Sequence, residues 1–553
     1  MEFFRSPLQL GVAGLFVASM SLAPAASHAA DERESLETLR QTTLNLIDAL
    51  VEQGIFSREK AAAMIKNAEA KAQAATASAA KDKTRSGAPV RVQYVPETVK
   101  NEIREQLKQE VLAQARSERW AEPNAIPAWL DSIKWEGDIR LRYQADSFDR
   151  DNTPAASYAA LANTYGATRA AGFTGMSTAN ASPVANNNTT ENRERYRLRA
   201  RLGMLAKISD EWSAGLRLST GNTTDRVSTN QTLGQDWNKY ALVVDRAYVR
   251  YDPAEWLSLS GGRIPNPFFS TELVWSENLN FEGGAASLKG SFANNSFKPF
   301  LTVGYFPIKE DNPPATHGRA MSGAQAGAQW DLSSNTRLKF GAAMYSFNNF
   351  EGQKESNTSY QNSASYGQYE YGASLRQKGN TLFRTNAPLD GATSTLWGLA
   401  SRFRPVNLTA SLDLAHFDPV HVVLTGDYVK NTAFDRGEIA NRTQTSISDG
   451  KDYGYLYKIT VGMPKLEKAR DWQVAFSYRY LGSDAVIDAF TDSDFGLGGT
   501  NLKGYMLSAH YGIDRNANIG LRWYSAESID SFSLVAGQRF AVDVLQADLN
   551  VQF

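Results

Sequence analysis

The chain has 553 residues, a formal net charge of −1 and no cysteine. Disulfides, thiol nucleophiles and cysteine-bound zinc are therefore excluded, and the balanced charge gives no sign of a nucleic-acid-binding protein. Hydrophobic residues make up 42% of the chain, which excludes extended disorder, yet residues beyond the first 29 contain no run of about 20 apolar residues, as a membrane-spanning helix needs.

The N-terminal residues 1–29 have the pattern of a secretory signal peptide. Arg5 supplies a positive charge, and residues 8–23 form a short apolar core. Ser27-His28-Ala29 then places small residues at the two positions that a signal peptidase reads, so cleavage is expected after Ala29 or Ala30. We therefore expect the protein to be exported, with its mature part beginning near residue 30.

Residues 30–133 are expected to form a helical periplasmic segment with a linker. Apolar side chains alternate spacings of three and four at Leu36, Leu39, Thr43, Leu46 and Leu50. This seam is typical of a short coiled coil. Gly54 ends the first helix and a second begins near Ser57. An Ala-, Ser- and Lys-rich linker at 71–89 then precedes another amphipathic helix at 97–119. Two interpretations of this helical segment stay open. It is either an oligomerisation segment or a solvated amphipathic spacer.

From residue 134 onwards the hydrophobic period changes from 3.6 to 2. In RERYRLRARLGM the arginines occupy alternate positions, namely Arg193, Arg195, Arg197, Arg199 and Arg201. The apolar residues Tyr196, Leu198, Ala200, Leu202 and Met204 occupy the alternate positions that follow. On a strand this pattern gives one charged face and one apolar face. A membrane barrel, with its wet lumen and its lipid-facing outside, requires such faces.

The connections between these alternating segments differ in length in a regular way. Seven short polar turns are predicted at 209–210, 252–253, 293–295, 333–335, 418–419, 465–470 and 514–516. Eight long segments fall around them, at 145–192, 222–238, 264–279, 309–318, 350–396, 431–451, 483–499 and 527–537. Short turns at one end and long loops at the other are typical of outer-membrane barrels. We therefore predict an all-β transmembrane barrel of about 16 antiparallel strands at 134–553, preceded by the helical extension, with a weak extra hairpin in 366–375 as an alternative.

Nearly the whole mature chain resembles the putative-porin family of Gram-negative bacteria. The resemblance includes VQYVPETVKNEIREQLKQEVLAQARSERW, IPAWLDSIKWEGDIRLRYQ, RERYRLRARLG, GGRIPNPF, NLNFEGGA, FKPFLTVGYFPI and the closing LNVQF. It implies an outer-membrane diffusion channel in contact with lipids and lipopolysaccharide, and the layout of general porins implies a homotrimer. The terminal Phe553 on an alternating strand resembles the signal that the outer-membrane insertion machinery reads. Small hydrophilic or anionic solutes would be the cargo, and the N-terminal helices would contact the cell wall.

In general porins the third long loop folds inward and narrows the pore. Here that loop spans residues 266–280 and carries Glu272 and Glu277, with Glu282 just beyond. The facing wall is expected to present lumenal arginines, namely Arg140, Arg142, Arg197, Arg199, Arg201, Arg217, Arg246 and Arg250. Opposed acidic and basic walls would orient and filter solutes. The alternative is that these charges only solvate a wide lumen and pair with each other.

Other functional classes have weaker support in the sequence. His317, His416, His421 and His510 lack metal-ligand spacing, so no metal site and no cofactor is expected. The loop groups Asp151-Asn152 and Asp492/Asp494 are calcium candidates, with solvated loops as the alternative reading. A barrel enzyme would need Ser411, Asp413 and His416 on one face, which alternation forbids. A non-conducting barrel that acts as an anchor or adhesin remains the second interpretation.

Overall fold

The computed structural model describes residues 132–155, 157, 167–169, 188–355, 364–386, 396–532 and 537–553. The predicted signal peptide and nearly all of the predicted helical segment lie outside these residues. The barrel strands are β1 Ile133–Phe148, β2 Arg193–Lys207, β3 Trp212–Ser219, β4 Val243–Ala254, β5 Leu257–Pro265, β6 Asn280–Lys289, β7 Phe297–Lys309, β8 Arg319–Ser333, β9 Thr336–Asn348, β10 Pro405–Phe417, β11 Val420–Asn431, β12 Tyr453–Gly462, β13 Trp472–Leu481, β14 Leu502–Asp514, β15 Ala517–Ser528 and β16 Ala541–Gln552.

These strands form one closed antiparallel sheet, which confirms the predicted barrel of 16 strands. Closure comes from β1 and β16, which pair from Asp138 opposite Gln552 to Phe148 opposite Val542. The seam continues to Gly137, whose N–H donates to the Phe553 carbonyl at 2.9 Å. A side chain at Gly137 would collide with the Phe553 ring, so glycine permits the close approach there. Closure removes the unpaired edges that an open sheet would expose.

Eight long loops leave one end of the barrel and seven short turns close the other, as the sequence predicts. The loops are L1 149–192, L2 220–242, L3 266–279, L4 310–318, L5 349–404, L6 432–452, L7 482–501 and L8 529–540. The two ends are called the loop end and the turn end.

The predicted turn at 252–253 is wrong, because β4 runs to Ala254 and the turn is Glu255-Trp256. The register shifts between Tyr251 and Ala254, and such a bulge tolerates Pro253, which has no N–H for the ladder.

Some regular structure lies outside the barrel wall. L5 contributes Thr381–Arg384 and Trp397–Leu399, which form a small sheet with Ala167–Arg169 of L1. The alternative hairpin in 366–375 is wrong, because those residues form turns and loop. In L6, α1 spans Arg436–Thr443, and its N-cap Asp435 accepts from two backbone N–H groups. Within the part of the chain that is described, no helix has the length and apolarity needed to cross a membrane.

The two faces of the wall have opposite chemistry. On β1, Ile139 and Leu141 are 45% and 49% exposed, whereas their neighbours Arg140 and Arg142 are 7% and 2% exposed. An exposed apolar row continues around the outside, with members such as Leu202, Leu216, Val249, Leu301, Phe340, Leu408, Leu424, Phe476, Leu507, Leu521 and Leu549. Because the outside is apolar and the inside polar, the wall suits hydrocarbon on one side and water on the other.

We predict that Ala410→Lys destabilises the barrel in a bilayer by about 2–4 kcal/mol, because Ala410 lies on the outward face near the middle of β10. Its neighbour Ser411 faces inward, where Ser411 Oγ lies 3.3 Å from Thr425 Oγ1. Ser411→Lys at the same depth is the matched control and should cost far less. Urea unfolding of both variants in lipid vesicles measures the difference, and equal costs would contradict the assignment of the two faces.

Candidate pore constriction

An arginine-rich wall lines the inside of β1 to β4. The register places Arg140 opposite Arg199 and Arg142 opposite Arg197, so guanidinium groups stand directly across from each other. On the next strands, Arg217 of β3 lies opposite Arg246 of β4. Like charges in such cross-strand pairs repel. This wall therefore needs compensating carboxylates, bound anions or water.

Carboxylates on the same strands provide part of this compensation. Asp138 accepts from Arg199 Nε at 2.8 Å and from Arg201 Nε at 2.6 Å. Asp245 accepts from Arg217 Nε at 2.6 Å. Two further arginines of the wall use amides, since Arg197 donates to Gln144 Oε1 at 3.1 Å and Arg246 Nε donates to Asn280 Oδ1 at 2.7 Å. The carboxylates thus hold some guanidinium groups in place without neutralising the wall.

Arg142 is the most enclosed arginine of this wall. Its Nε and Nη2 donate to the two oxygens of Asp548 on β16 at 2.7 and 2.8 Å, a bidentate pair. Its Nη1 donates to Asp494 Oδ2 of L7 at 3.0 Å. Arg140 Nη2 donates to Asn230 Oδ1 of L2 at 2.5 Å. Two loops are therefore attached to the arginine wall through these side chains.

Arg250 is placed differently from the other predicted arginines. It lies on β4 near the turn end, is exposed, and donates to Asp252 Oδ1 at 2.9 Å. An exposed pair of this kind contributes little to stability. The structure therefore groups seven of the predicted arginines and sets Arg250 apart from them.

L3 lies against the inner wall of the barrel. The Phe269 N–H donates to Gln325 Oε1 of β8 at 2.7 Å, and Thr271 Oγ1 donates to Asp427 Oδ2 of β11 at 2.6 Å. Glu272 accepts from Lys458 Nζ of β12 at 3.0 Å. Further along, the Ser276 N–H donates to the Phe490 carbonyl of L7 at 2.9 Å. Because its partners lie on β8, β11, β12 and L7, L3 occupies part of the barrel's interior.

The three predicted acids have different surroundings. Glu272 is held by Lys458, away from the arginine wall. Glu277 is exposed and close enough to Arg199 and Arg522 for a coulombic interaction with both. Glu282 lies on β6 instead of L3, and its carboxylate pairs with Arg263 of β5. Of the three, only Glu277 is brought by L3 toward the arginines named in the prediction.

L7 supplies two acids, Asp492 and Asp494, which the sequence predicts only as a calcium candidate or as a solvated loop pair. Asp494 contacts Arg142 at 3.0 Å, and Asp492 lies two residues earlier in the same loop. Burial alone would raise the pKa of Asp494, but Arg142, Arg197 and Arg140 hold that pKa well below its usual range. Burial and the neighbouring Asp494 raise the pKa of Asp492 to about 6. The two carboxylates thus differ in pKa, because three arginines act on Asp494 whereas Arg479 alone among the arginines acts on Asp492.

L5 and L7 form a packed block near the loop end. Asn380 Nδ2 donates to the carbonyls of Ser483 and Val486 at 2.6 and 2.9 Å, and Thr381 Oγ1 donates to Asp484 Oδ2 at 2.6 Å. Tyr371 donates to Asp488, whose pKa burial raises to about 6. Apolar side chains of L3, L5 and L7 join one cluster with inward residues of the wall, including Trp275, Tyr345, Trp397, Ile487 and Phe490. These loops therefore fill part of the barrel's interior.

The other chemical candidates do not assemble into a site. Among the described residues, no group of three or more His, Asp or Glu side chains is placed to hold a metal ion. Ser411, Asp413 and His416 do not come together either, in agreement with the alternation predicted from the sequence. Asp413 pairs with His421 Nδ1 at 2.8 Å across the β10–β11 hairpin, whereas His416 is exposed.

A family model described as "Putative porin" matches residues 40–553. No curated protein matches the chain significantly. Similar solved structures include OmpF of Salmonella typhi in complex with daunomycin, with 9% identity over 76% of this chain and 97% of that chain, at a TM-score of 0.36.

Two further solved structures have comparable similarity. The outer membrane channel DcaP of Acinetobacter baumannii has 11% identity over 76% of this chain and 97% of that chain, at a TM-score of 0.36. A loop L8 deletion mutant of OmpT, an outer membrane protein of Vibrio cholerae, has 9% identity over 76% of this chain and 99% of that chain, also at 0.36. The family match covers most of the chain, and the chain therefore belongs to this porin family, with the barrel of an outer-membrane porin.

Proposed function

We propose that the protein is a water-filled diffusion channel of the outer membrane for small hydrophilic solutes, with a charged constriction that favours anions. The observation that carries this proposal is the excess of cations on one wall. The seven arginines Arg140, Arg142, Arg197, Arg199, Arg201, Arg217 and Arg246 contact only four carboxylates among the described residues, namely Asp138, Asp245, Asp494 and Asp548. A wall with surplus positive charge in a narrow passage attracts anions and repels cations.

The constriction would lie between this arginine wall and the inner surface of L3 and L7. Glu277 of L3 and Asp492 and Asp494 of L7 supply the opposing negative charge. A field across the passage would orient dipolar solutes as they move through. The decisive experiment is single-channel recording of the refolded protein in a planar bilayer with a salt gradient. Stepwise conductance with an anion-selective reversal potential is expected, whereas insertion without conductance would overturn the channel.

Neutralising Arg197 and Arg199 together is expected to reduce the anion selectivity. These side chains lie on adjacent inward positions of β2, and Arg197 has an amide as its hydrogen-bond partner. In Arg197→Gln with Arg199→Gln, the reversal potential should shift toward cation selectivity. Lys465→Gln, in an exposed turn outside the lumen, removes a positive charge without changing the passage and serves as the control. An unchanged reversal potential in the double variant would show that the wall does not set selectivity.

Anion selectivity is expected to increase as the pH falls from about 8 to about 5. The pKa of Asp492 is raised to about 6 by burial and by Asp494, so this carboxylate is charged above that pH and neutral below it. Loss of its negative charge leaves a larger surplus of arginine charge. In Asp492→Asn the selectivity should already be high at pH 8 and should change less with pH. An equal pH response in both proteins would assign the effect to another group.

A non-conducting barrel that anchors the cell envelope or binds partners is the second candidate. The packing of L3, L5 and L7 into one apolar cluster favours it, because these loops fill part of the barrel. The planar-bilayer recording separates the two candidates, since the anchor predicts an inserted barrel with no current. Trimeric assembly, contact with lipopolysaccharide and cell-wall binding through the N-terminal segment stay predictions under both candidates.

A further inference from the structure

A second polar region lies inside the barrel, away from the arginine wall. It is a cleft of about 1040 Å³ between the first half of L3 and the inner faces of β4 to β9, and it extends to the Glu255-Trp256 turn. Lysine and arginine side chains, hydroxyl groups and aromatic rings line it together. Ligand sites in proteins commonly combine apolar surface with a few polar groups that converge.

The cations of this cleft are only partly compensated. Arg250 pairs with Asp252 at 2.9 Å, and Lys298 Nζ lies 3.5 Å from Asp331 Oδ2. In contrast, Lys289 of β6 and Lys339 of β9 form no ion pair with any carboxylate that the structure describes. The two lysines are also close enough to repel each other. An anion between two such ammonium groups would relieve this repulsion and accept a charge-assisted hydrogen bond from each.

Aromatic rings lie beside the same lysines. Lys339 Nζ is 4.2 Å from the centroid of the Phe269 ring and 5.8 Å from that of the Phe300 ring. Phe269 belongs to L3, which is held at this place by hydrogen bonds with Gln325 at 2.7 Å. Ser287 and Thr302, whose hydroxyl oxygens are 3.1 Å apart, add neutral hydrogen-bonding groups to the wall. The cleft thus presents cations and flat apolar surface within the span of one small molecule.

We propose that this cleft is a binding subsite for organic oxyanions that carry an aromatic ring. The carboxylate or phosphate of the solute would lie between Lys289 and Lys339, and its ring would pack against Phe269 and Phe300. This inference rests on the proposed channel function, and it names a class of solute that the channel retains. Such a subsite concentrates its solute at the turn end of the passage. Because the solute binds weakly, it is released again and can pass through the channel.

The test uses phenyl phosphate as the probe in single-channel recordings of the full protein. Added at the turn end, phenyl phosphate is expected to interrupt the current at lower concentration than inorganic phosphate, which lacks the ring. Lys289→Gln with Lys339→Gln should raise the concentration needed for interruption by about tenfold or more, because two charged hydrogen bonds are lost. Lys134→Gln is the matched control, because this substitution on β1 also removes a lysine charge but lies outside the cleft.

A second variant separates ring recognition from charge alone. Phe269→Leu keeps an apolar side chain in L3 and should abolish the preference for phenyl phosphate over inorganic phosphate. Benzoate, compared with phenyl phosphate, identifies which oxyanion the two lysines prefer. The subsite would be overturned if inorganic phosphate and phenyl phosphate interrupted the current of the native protein at equal concentration. It would also be overturned if the double lysine variant responded to phenyl phosphate as the native protein does. Absence of any current in the native protein would instead overturn the channel function on which the subsite rests.

Discussion

Attachment of a bulky thiol reagent to Glu277→Cys is expected to reduce the single-channel current by about half or more, because the added group would occupy the narrow part of the passage. Glu277 is exposed on L3 and interacts with Arg199 of the opposite wall. The native chain has no cysteine, so the introduced thiol is the only reactive one. The measurement is the current through one inserted channel before and after addition of the reagent.

Lys465→Cys provides the control for this modification. Lys465 lies in the exposed turn between β12 and β13, where an attached group does not meet the lumen. The same reagent should leave its current unchanged. If modified Glu277→Cys conducts as well as modified Lys465→Cys, L3 does not bound the passage at this residue, and the proposed constriction is wrong there.

Replacement of Arg142 is expected to have the largest effect on stability. Its guanidinium side chain is fully buried and holds Asp548 of β16 and Asp494 of L7. Arg142→Met keeps much of the apolar stem but leaves two carboxylates without their partner. Removal of one member of a buried ion pair costs about 3–5 kcal/mol, because the remaining charge stays desolvated. Urea unfolding of the refolded barrel measures this loss.

Arg337→Met is the matched control for Arg142→Met. Arg337 of β9 pairs with Asp331 at 2.7 Å, but its side chain is 56% exposed, so water replaces the lost partner. Its substitution should change the free energy of unfolding by about 1 kcal/mol or less. Similar losses in the two variants would show that the Arg142 network is as well hydrated as the exposed pair.

A second readout of the Arg142 variant concerns L7. Because Arg142 is a direct link between the barrel wall and Asp494, its loss should loosen L7 near residues 492–494. Larger current fluctuations are expected in Arg142→Met than in Arg337→Met. This effect tests the attachment of the loop separately from the stability of the barrel.

The amino-acid sequence by itself determined the barrel and the chemistry of its two faces. Strand side chains alternate with a period of two, so Arg140 and Arg142 had to face away from Ile139 and Leu141, whatever the loops do. The alternation of short turns with long loops determined the strand count in the same way. The one misplaced turn, at 252–253, lies where a bulge accommodates Pro253 inside β4, which a simple reading of turn residues does not detect.

Only the tertiary structure decided which side chains meet in the lumen. Asp494 contacts Arg142 across 352 positions of sequence, and Lys458 contacts Glu272 across 186. Loop residues carry no periodic pattern, so nothing local in the sequence indicates the wall that a loop will reach. The apolar residues of L3, L5 and L7 are buried against one side of the barrel, and hydrophobic burial has no direction of its own. The shape of the closed barrel, and not the loop sequences alone, therefore decides which charges face the passage.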